Sequence, residues 1–231
     1  MRFVGFDPGG AEQFGWCVVE GATRPLSLVR SGCASDAVAA VDAVLRAVGG
    51  PSRIDGVGID SPLFWAPSGR RRVDWIVREA IKSLGAPNAG GTVQQVNSLR
   101  GACITQGVVA AHLLRRAVSG VRITEAHPKA LLWLINVASA DRRVLDVSME
   151  HLAEFISCQV AGLSEHERDA ALGAVAAWAM VSVAAGWRDI AVEDPDAVVP
   201  VPPVEYWMPI EASPNKTLHL TSGAGKTAAR R

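Results

Sequence analysis

Neither sign of charge is in excess in this chain. Across 231 residues, 23 Lys and Arg balance 23 Asp and Glu, which counts against indiscriminate coating of nucleic acid through a strongly basic face and says little about a nuclease that grips phosphates through metal ions. Cysteine is scarce as well. Cys17, Cys33, Cys103 and Cys158 are scattered, with no C-x-x-C spacing and no paired His/Cys cluster, so neither a zinc site nor a disulfide framework is expected. Reduced, mostly buried thiols in a cytoplasmic protein are the expectation instead. The N-terminus enters a strand pattern at once, without a basic region leading into an apolar run, so no signal peptide is expected. Residues 170–187 carry no charge and reach about 18 residues, close to what a bilayer crossing requires. They are rich in Ala and Gly, which contribute little to insertion. A buried core helix is expected there, and no membrane span.

What is present reads as an α/β domain. Apolar residues make up 49% and charged residues 20% of the chain, the balance of a soluble globular protein long enough for one large core. A short apolar run over 3–6 stops at Asp7-Pro8-Gly9-Gly10, a turn sequence. Residues 15–19 and 26–29 form two further strands, so the chain opens with a three-strand antiparallel meander. Ser35 can cap a helix running to residue 48, with Val38, Val41, Leu45 and Val48 on one stripe and Gly49-Gly50-Pro51 behind it. Residues 54–59 are almost continuously apolar, as in a strand buried on both faces by parallel pairing, and end at Asp60-Ser61-Pro62. Helices are expected over 73–84 and 99–118. A strand over 121–124 leads into Glu125-Ala126-His127-Pro128, and helices follow over 129–137, 149–160 and 165–185. The helix from 165 opens with Ser164 and Glu167 in capping-box spacing. This divides the chain into a domain over 1–190, a Pro-rich extended segment over 191–214 and a disordered basic tail over 215–231.

The chemistry-bearing residues fall where strands end. Asp7, Asp60 and Glu125 each follow an apolar run and precede a proline, and ligands bind in open α/β sheets in the crevice outside the strands' carboxyl ends. Asp169 lies in the first turns of the helix from 165, where the helix dipole favours the ionised form. Clustered carboxylates repel one another unless divalent cations neutralise them. Mg²⁺ or Mn²⁺ suits an all-oxygen site. Two such ions about 4 Å apart can activate a water and stabilise a leaving oxygen in phosphodiester hydrolysis.

Four phrases in this order resemble one family. They are Val4-Gly5-Phe6-Asp7-Pro8-Gly9 with Gly15-Trp16, Ile59-Asp60-Ser61-Pro62-Leu63, Glu125-Ala126-His127-Pro128-Lys129-Ala130, and Glu167-Arg168-Asp169-Ala170-Ala171-Leu172. Over residues 1–190 they resemble domain of unknown function 429, a family described as predicted RNase H-like nucleases. The resemblance implies an RNase H-like mixed sheet, an antiparallel three-strand meander plus two parallel strands, with helices on both faces. It further implies that Asp7 bridges two metal ions, that Asp60 and Asp169 complete the ligand set with Glu125 near it, and that the substrate is DNA or RNA.

Other features supplement this set. His127, two residues beyond Glu125, could shuttle a proton or orient the attacking water. Arg70, Arg71, Arg72 and Arg78 follow the Asp60 strand and could grip phosphate, although Asp74 and Arg78, one turn apart, can simply pair. Trp65 and Trp75 flank them as candidate stacking surfaces. The run Ser222-Gly223-Ala224-Gly225-Lys226-Thr227 fails as a phosphate loop, because Leu220 stands where the motif needs glycine. The alternatives are a non-catalytic binding or scaffold protein on the same fold, and an actin-like nucleotide-binding protein. The chain is too short for the duplicated domain of the latter.

Overall fold

In the computed structural model the described residues are 1–9, 12–50, 54–64, 66, 71–94, 101–135, 149–157 and 162–210. The elements run β1 (Arg2–Asp7), β2 (Phe14–Glu20), β3 (Leu26–Ala34), α1 (Ala37–Val48), β4 (Gly56–Ile59), α2 (Arg72–Ser83), α3 (Ala89–Thr92), α4 (Gly101–Ala117), β5 (Arg122–Glu125) and α5 (Pro128–Ile135). After a 3₁₀ turn at Met149–Glu154 come β6 (Ile156–Ser157), α6 (Glu165–Ser182), β7 (Arg188–Asp189) and β8 (Glu205–Met208). All strands belong to one sheet in the order β6-β3-β2-β1-β4-β5-β8-β7. β1, β2 and β3 pair antiparallel, while β4 and β5 continue parallel from β1. This is the mixed sheet expected from the sequence, a three-strand antiparallel meander followed by two parallel strands.

Alternation along the strands sorts the core into two layers. Val4, Phe6, Val57, Ile59 and Ile123 pack with α1 and α4 on one face. Phe3, Cys17 and Val19 pack with α2, α5 and α6 on the other. On the α6 face of β1 and β4 the remaining positions are glycines, and they decide where the helix lies. A Cβ on Gly5 would fall 1.5 Å from the Ala170 carbonyl oxygen, and one on Gly58 would fall 2.0 Å from that of Gly173. One on Gly15 would meet the His166 carbonyl oxygen at 2.3 Å. The backbone of α6 therefore rests directly on the backbones of β2, β1 and β4. Its N-terminus is fixed by the capping box foreseen at Ser164 and Glu167, and Ser31 of β3 also donates to Glu167 at 2.9 Å.

Several expectations change. The cap of α1 is Asp36 rather than Ser35, since its carboxylate accepts the N–H groups of Val38 and Ala39 at 2.9 Å. The buried stripe is consequently Ala37, Ala40, Val41, Val44 and Val48, leaving Val38 exposed and Leu45 only partly buried. In place of a helix over 149–160, a 3₁₀ turn leads into β6, which extends the sheet beyond β3. The sheet also draws on the Pro-rich segment, because β8 pairs parallel with β5 through Thr124↔Glu205 and Glu125↔Tyr206. Among the described residues no helix is long and apolar enough to cross a membrane. Arg70, Trp65 and the basic tail over 215–231 lie outside the described residues.

Candidate functional site

Register places the acids. In the parallel pair β1–β4, Phe6 stands opposite Ile59, so Asp7 and Asp60, one residue further along each strand, point to the same face. That face is the one α6 covers. Because Gly5 seats Ala170, Asp169 and His166, one turn apart on α6, come down beside the end of β1. The result is a cavity of about 330 Å³ whose wall includes Asp7, Asp60, Asp169, His166, His127 and Lys129.

The charges in this cavity are in conflict. Asp7 and Asp169 are each 9% exposed. Burial pushes the Asp169 carboxyl up to about 7, with the neighbouring Asp7 adding to the rise. The Asp60 carboxyl rises well above its ordinary value through desolvation and then the charges of Asp7, Asp169 and Glu125. Burial raises Asp7 too, partly offset by His166, whose Nδ1 lies 2.5 Å from Asp7 Oδ2. The dipole of α6 was expected to keep Asp169 ionised, and burial beside Asp7 outweighs it. Lys129 Nζ sits 2.6 Å from Glu165 and 3.9 Å from Asp169, so its cation reaches the rim. The three carboxyls offer only oxygen donors, the ligand type a hard divalent cation prefers, although their ligand atoms do not all lie within 4.8 Å of one another.

Glu125 does not join them. It stands in register with Ile59 rather than Asp60, one residue out of phase, and a slip of one residue reverses the face. Its oxygens instead accept both terminal nitrogens of Arg71, at 2.7 and 2.8 Å, and the Leu63 N–H at 2.9 Å. Arg71 also forks onto Asp74, at 2.5 and 3.2 Å, and its guanidinium lies 4.7 Å from the Phe64 ring. Asp74, Glu125 and His127 bring possible ligand atoms within 4.8 Å of one another, the spacing of a metal site. The buried guanidinium already supplies the cation there. Arg71 is thus an internal counter-ion, not a phosphate grip, and Asp74 pairs with it rather than with Arg78. Arg78 donates to the Val93 carbonyl oxygen at 2.6 Å, and the exposed Arg72 faces Glu193 at 3.3 Å.

His127 is likewise not a proton shuttle near neutral pH. Burial, then the charges of Arg71 and Arg78, push its imidazole down to about 3. Its Nδ1 lies 2.5 Å from the hydroxyl of the fully buried Tyr206 on β8. The residues missed in the sequence are His166 and Tyr206. The H-x-x-D spacing of His166 and Asp169 on one helical face could have flagged the first. Nothing local signals the second, which reaches the site only through the β5–β8 pairing.

A scan against protein-family models matches none of them, so the resemblance to domain of unknown function 429 is unconfirmed, and a search of curated proteins finds no relative. Among solved structures the chain is similar to RuvC from Thermus thermophilus, at 16% identity and a TM-score of 0.41, over 78% of this chain and 95% of that one. It is also similar to T. thermophilus RuvC in complex with a Holliday junction substrate, at 18% identity and a TM-score of 0.42, over 78% of this chain and 94% of that one.

Proposed function

We propose that this chain is a divalent-metal-dependent nuclease that hydrolyses phosphodiester bonds of DNA or RNA, with two Mg²⁺ or Mn²⁺ ions held by Asp7, Asp60 and Asp169 and with His166 beside them. One observation carries the reading. Three carboxyls from β1, β4 and α6 line one cavity, burial raises all three, and the charge of Asp7 adds to the rise at Asp60 and Asp169. Such an arrangement costs stability unless positive charge arrives. Bound there, the ions supply an activated water and a charge partner for the leaving oxygen.

The chain's own residues divide the remaining work. Asp7 has the central place, sharing a face with Asp60 through strand register and with Asp169 through the seat of α6 on Gly5. His166 orients the Asp7 carboxylate. Lys129, at the rim, can leave Glu165 for a phosphate oxygen. Glu125 and Arg71 form the buried brace under the cavity and hold neither metal nor substrate. The scattered cysteines suit a reducing, cytoplasmic setting.

The test is incubation of the purified chain with Mg²⁺ or Mn²⁺ and a panel of duplex DNA, single strands, RNA/DNA hybrid and a four-way junction, the last chosen after the ligand of the RuvC complex. Cleavage by wild type, reduced by about 10² or more in Asp7→Asn, Asp60→Asn and Asp169→Asn, is the expected outcome. Cleavage at wild-type rate by these variants refutes the reading, as does metal-independent cleavage.

A further inference from the structure

His127 stands at the junction of β5 and α5, buried, and is one of the residues that line the carboxylate cavity. Its Nδ1 is engaged by the hydroxyl of Tyr206, which does not line that cavity, at 2.5 Å, and the two rings lie 5.6 Å apart at 21°. The edge of the imidazole left for the cavity is therefore the Nε2 side. Which nitrogen carries the proton follows from what surrounds Nδ1. Tyr206 is fully buried, and its ring is held by β8, whose backbone pairs with β5 and donates to Asp189 at 2.9 Å. A buried phenol must place its proton on an acceptor, and among the described residues the acceptor within reach is Nδ1. Glu125 Oε1 lies beyond hydrogen-bond range of Nδ1 at 3.7 Å, and its lone pairs already face Arg71. Burial keeps the phenol protonated, and burial beside Arg71 and Arg78 keeps the imidazole neutral. A neutral imidazole that accepts at Nδ1 carries its hydrogen on Nε2.

We propose that Tyr206 locks His127 in the Nε2–H tautomer, so that Nε2–H is aimed into the carboxylate cavity as a fixed, uncharged donor to a phosphate oxygen. His127 is then a catalytic residue that touches the substrate, and Tyr206, with the Arg71–Glu125 brace beside it, is a positioning residue. The identity of the oxyanion as a phosphodiester rests on the nuclease reading, whereas the tautomer and its direction do not. A neutral donor has a particular advantage in this cavity. An imidazolium would be drawn to Asp60 or Asp169 and would compete with the metal ions, while a neutral N–H can serve the anionic substrate without displacing them.

The tautomer is read directly from long-range ¹H–¹⁵N correlation spectra of histidine-labelled protein at pH 7 in Mg²⁺. Wild type is expected to show His127 as Nε2–H, with that preference lost in Tyr206→Phe. A wild-type His127 that is Nδ1–H or doubly protonated overturns the proposal. In kinetics on whichever nucleic acid wild type cleaves, His127→Gln, which can place an amide N–H near Nε2, should stay close to wild type, whereas His127→Phe should lose roughly 10²-fold in kcat with Mg²⁺ affinity unchanged. Wild-type kcat in His127→Phe overturns it. If no member of the panel is cleaved, the nuclease reading falls, and inorganic phosphate with Mg²⁺ decides the donor on its own. A phosphate-dependent shift of the His127 Nε2–H signal supports the proposal, and an unmoved signal overturns it.

Discussion

Neutralising Asp169 should stabilise the metal-free protein at alkaline pH, and the size of the effect follows from its surroundings. The carboxyl ionises near 3.8 when solvated and at about 7 in the fold, where burial and then Asp7 oppose its charge. The sign follows from linkage. Between those two values the unfolded chain has released the proton and the folded chain retains it, so the native state becomes less stable as pH rises, and the loss is complete above pH 7. The gap between 3.8 and about 7, at about 1.4 kcal/mol per pH unit, corresponds to an upper limit of about 4 kcal/mol. Asp7 and Asp60, also raised, act in the same direction. In EDTA, urea unfolding of wild type should therefore weaken from pH 4 to pH 8. Asp169→Asn should flatten that slope, gaining up to about 4 kcal/mol over wild type at pH 8 and little at pH 4. Millimolar Mg²⁺ should reverse the order at pH 8 by stabilising wild type alone. An Asn variant no more stable than wild type at pH 8 in EDTA would show that burial and Asp7 do not oppose the charge of Asp169 as described.

Other perturbations separate the site from its supports. Arg71→Met strands Glu125 and Asp74 without their buried cation and should cost about 3–5 kcal/mol in urea unfolding. Gly5→Ala drives a methyl group into the Ala170 carbonyl; a loss of about 3 kcal/mol, with Mg²⁺ affinity falling as α6 lifts, is expected from calorimetry. Ser164→Ala removes one half of the capping box and should cost about 1 kcal/mol in thermal melting. His166→Phe removes the partner of Asp7, so Mg²⁺ titration should show roughly 10- to 100-fold weaker binding.

Much of this architecture was legible because the local signals agreed with the final fold. The meander, the parallel strands ending at Asp7 and Asp60, and the capping box at Ser164 and Glu167 all rest on short-range pattern, and tertiary packing reinforced each. The failures share one cause. The strand over 205–208 is bracketed by prolines and acquires its partner from a segment some 80 residues away, so nothing near it announced a strand. The region after 149 contains helix-favouring residues, yet the open edge of β3 captured Ile156 and Ser157 instead.

The four acids show the same division. Their residue type and their position at the ends of elements are properties of the sequence, and they sufficed to name the group. Which three share a cavity was decided by register. Asp7 and Asp60 align across β1 and β4, while Glu125, opposite Ile59, turns to Arg71. A strand-end motif specifies that a carboxylate is present but leaves its face open, since one residue of stagger between neighbouring strands reverses it. Only the assembled sheet, with α6 seated on its glycines, gathers Asp7, Asp60 and Asp169 and brings His166 to Asp7 and Tyr206 to His127.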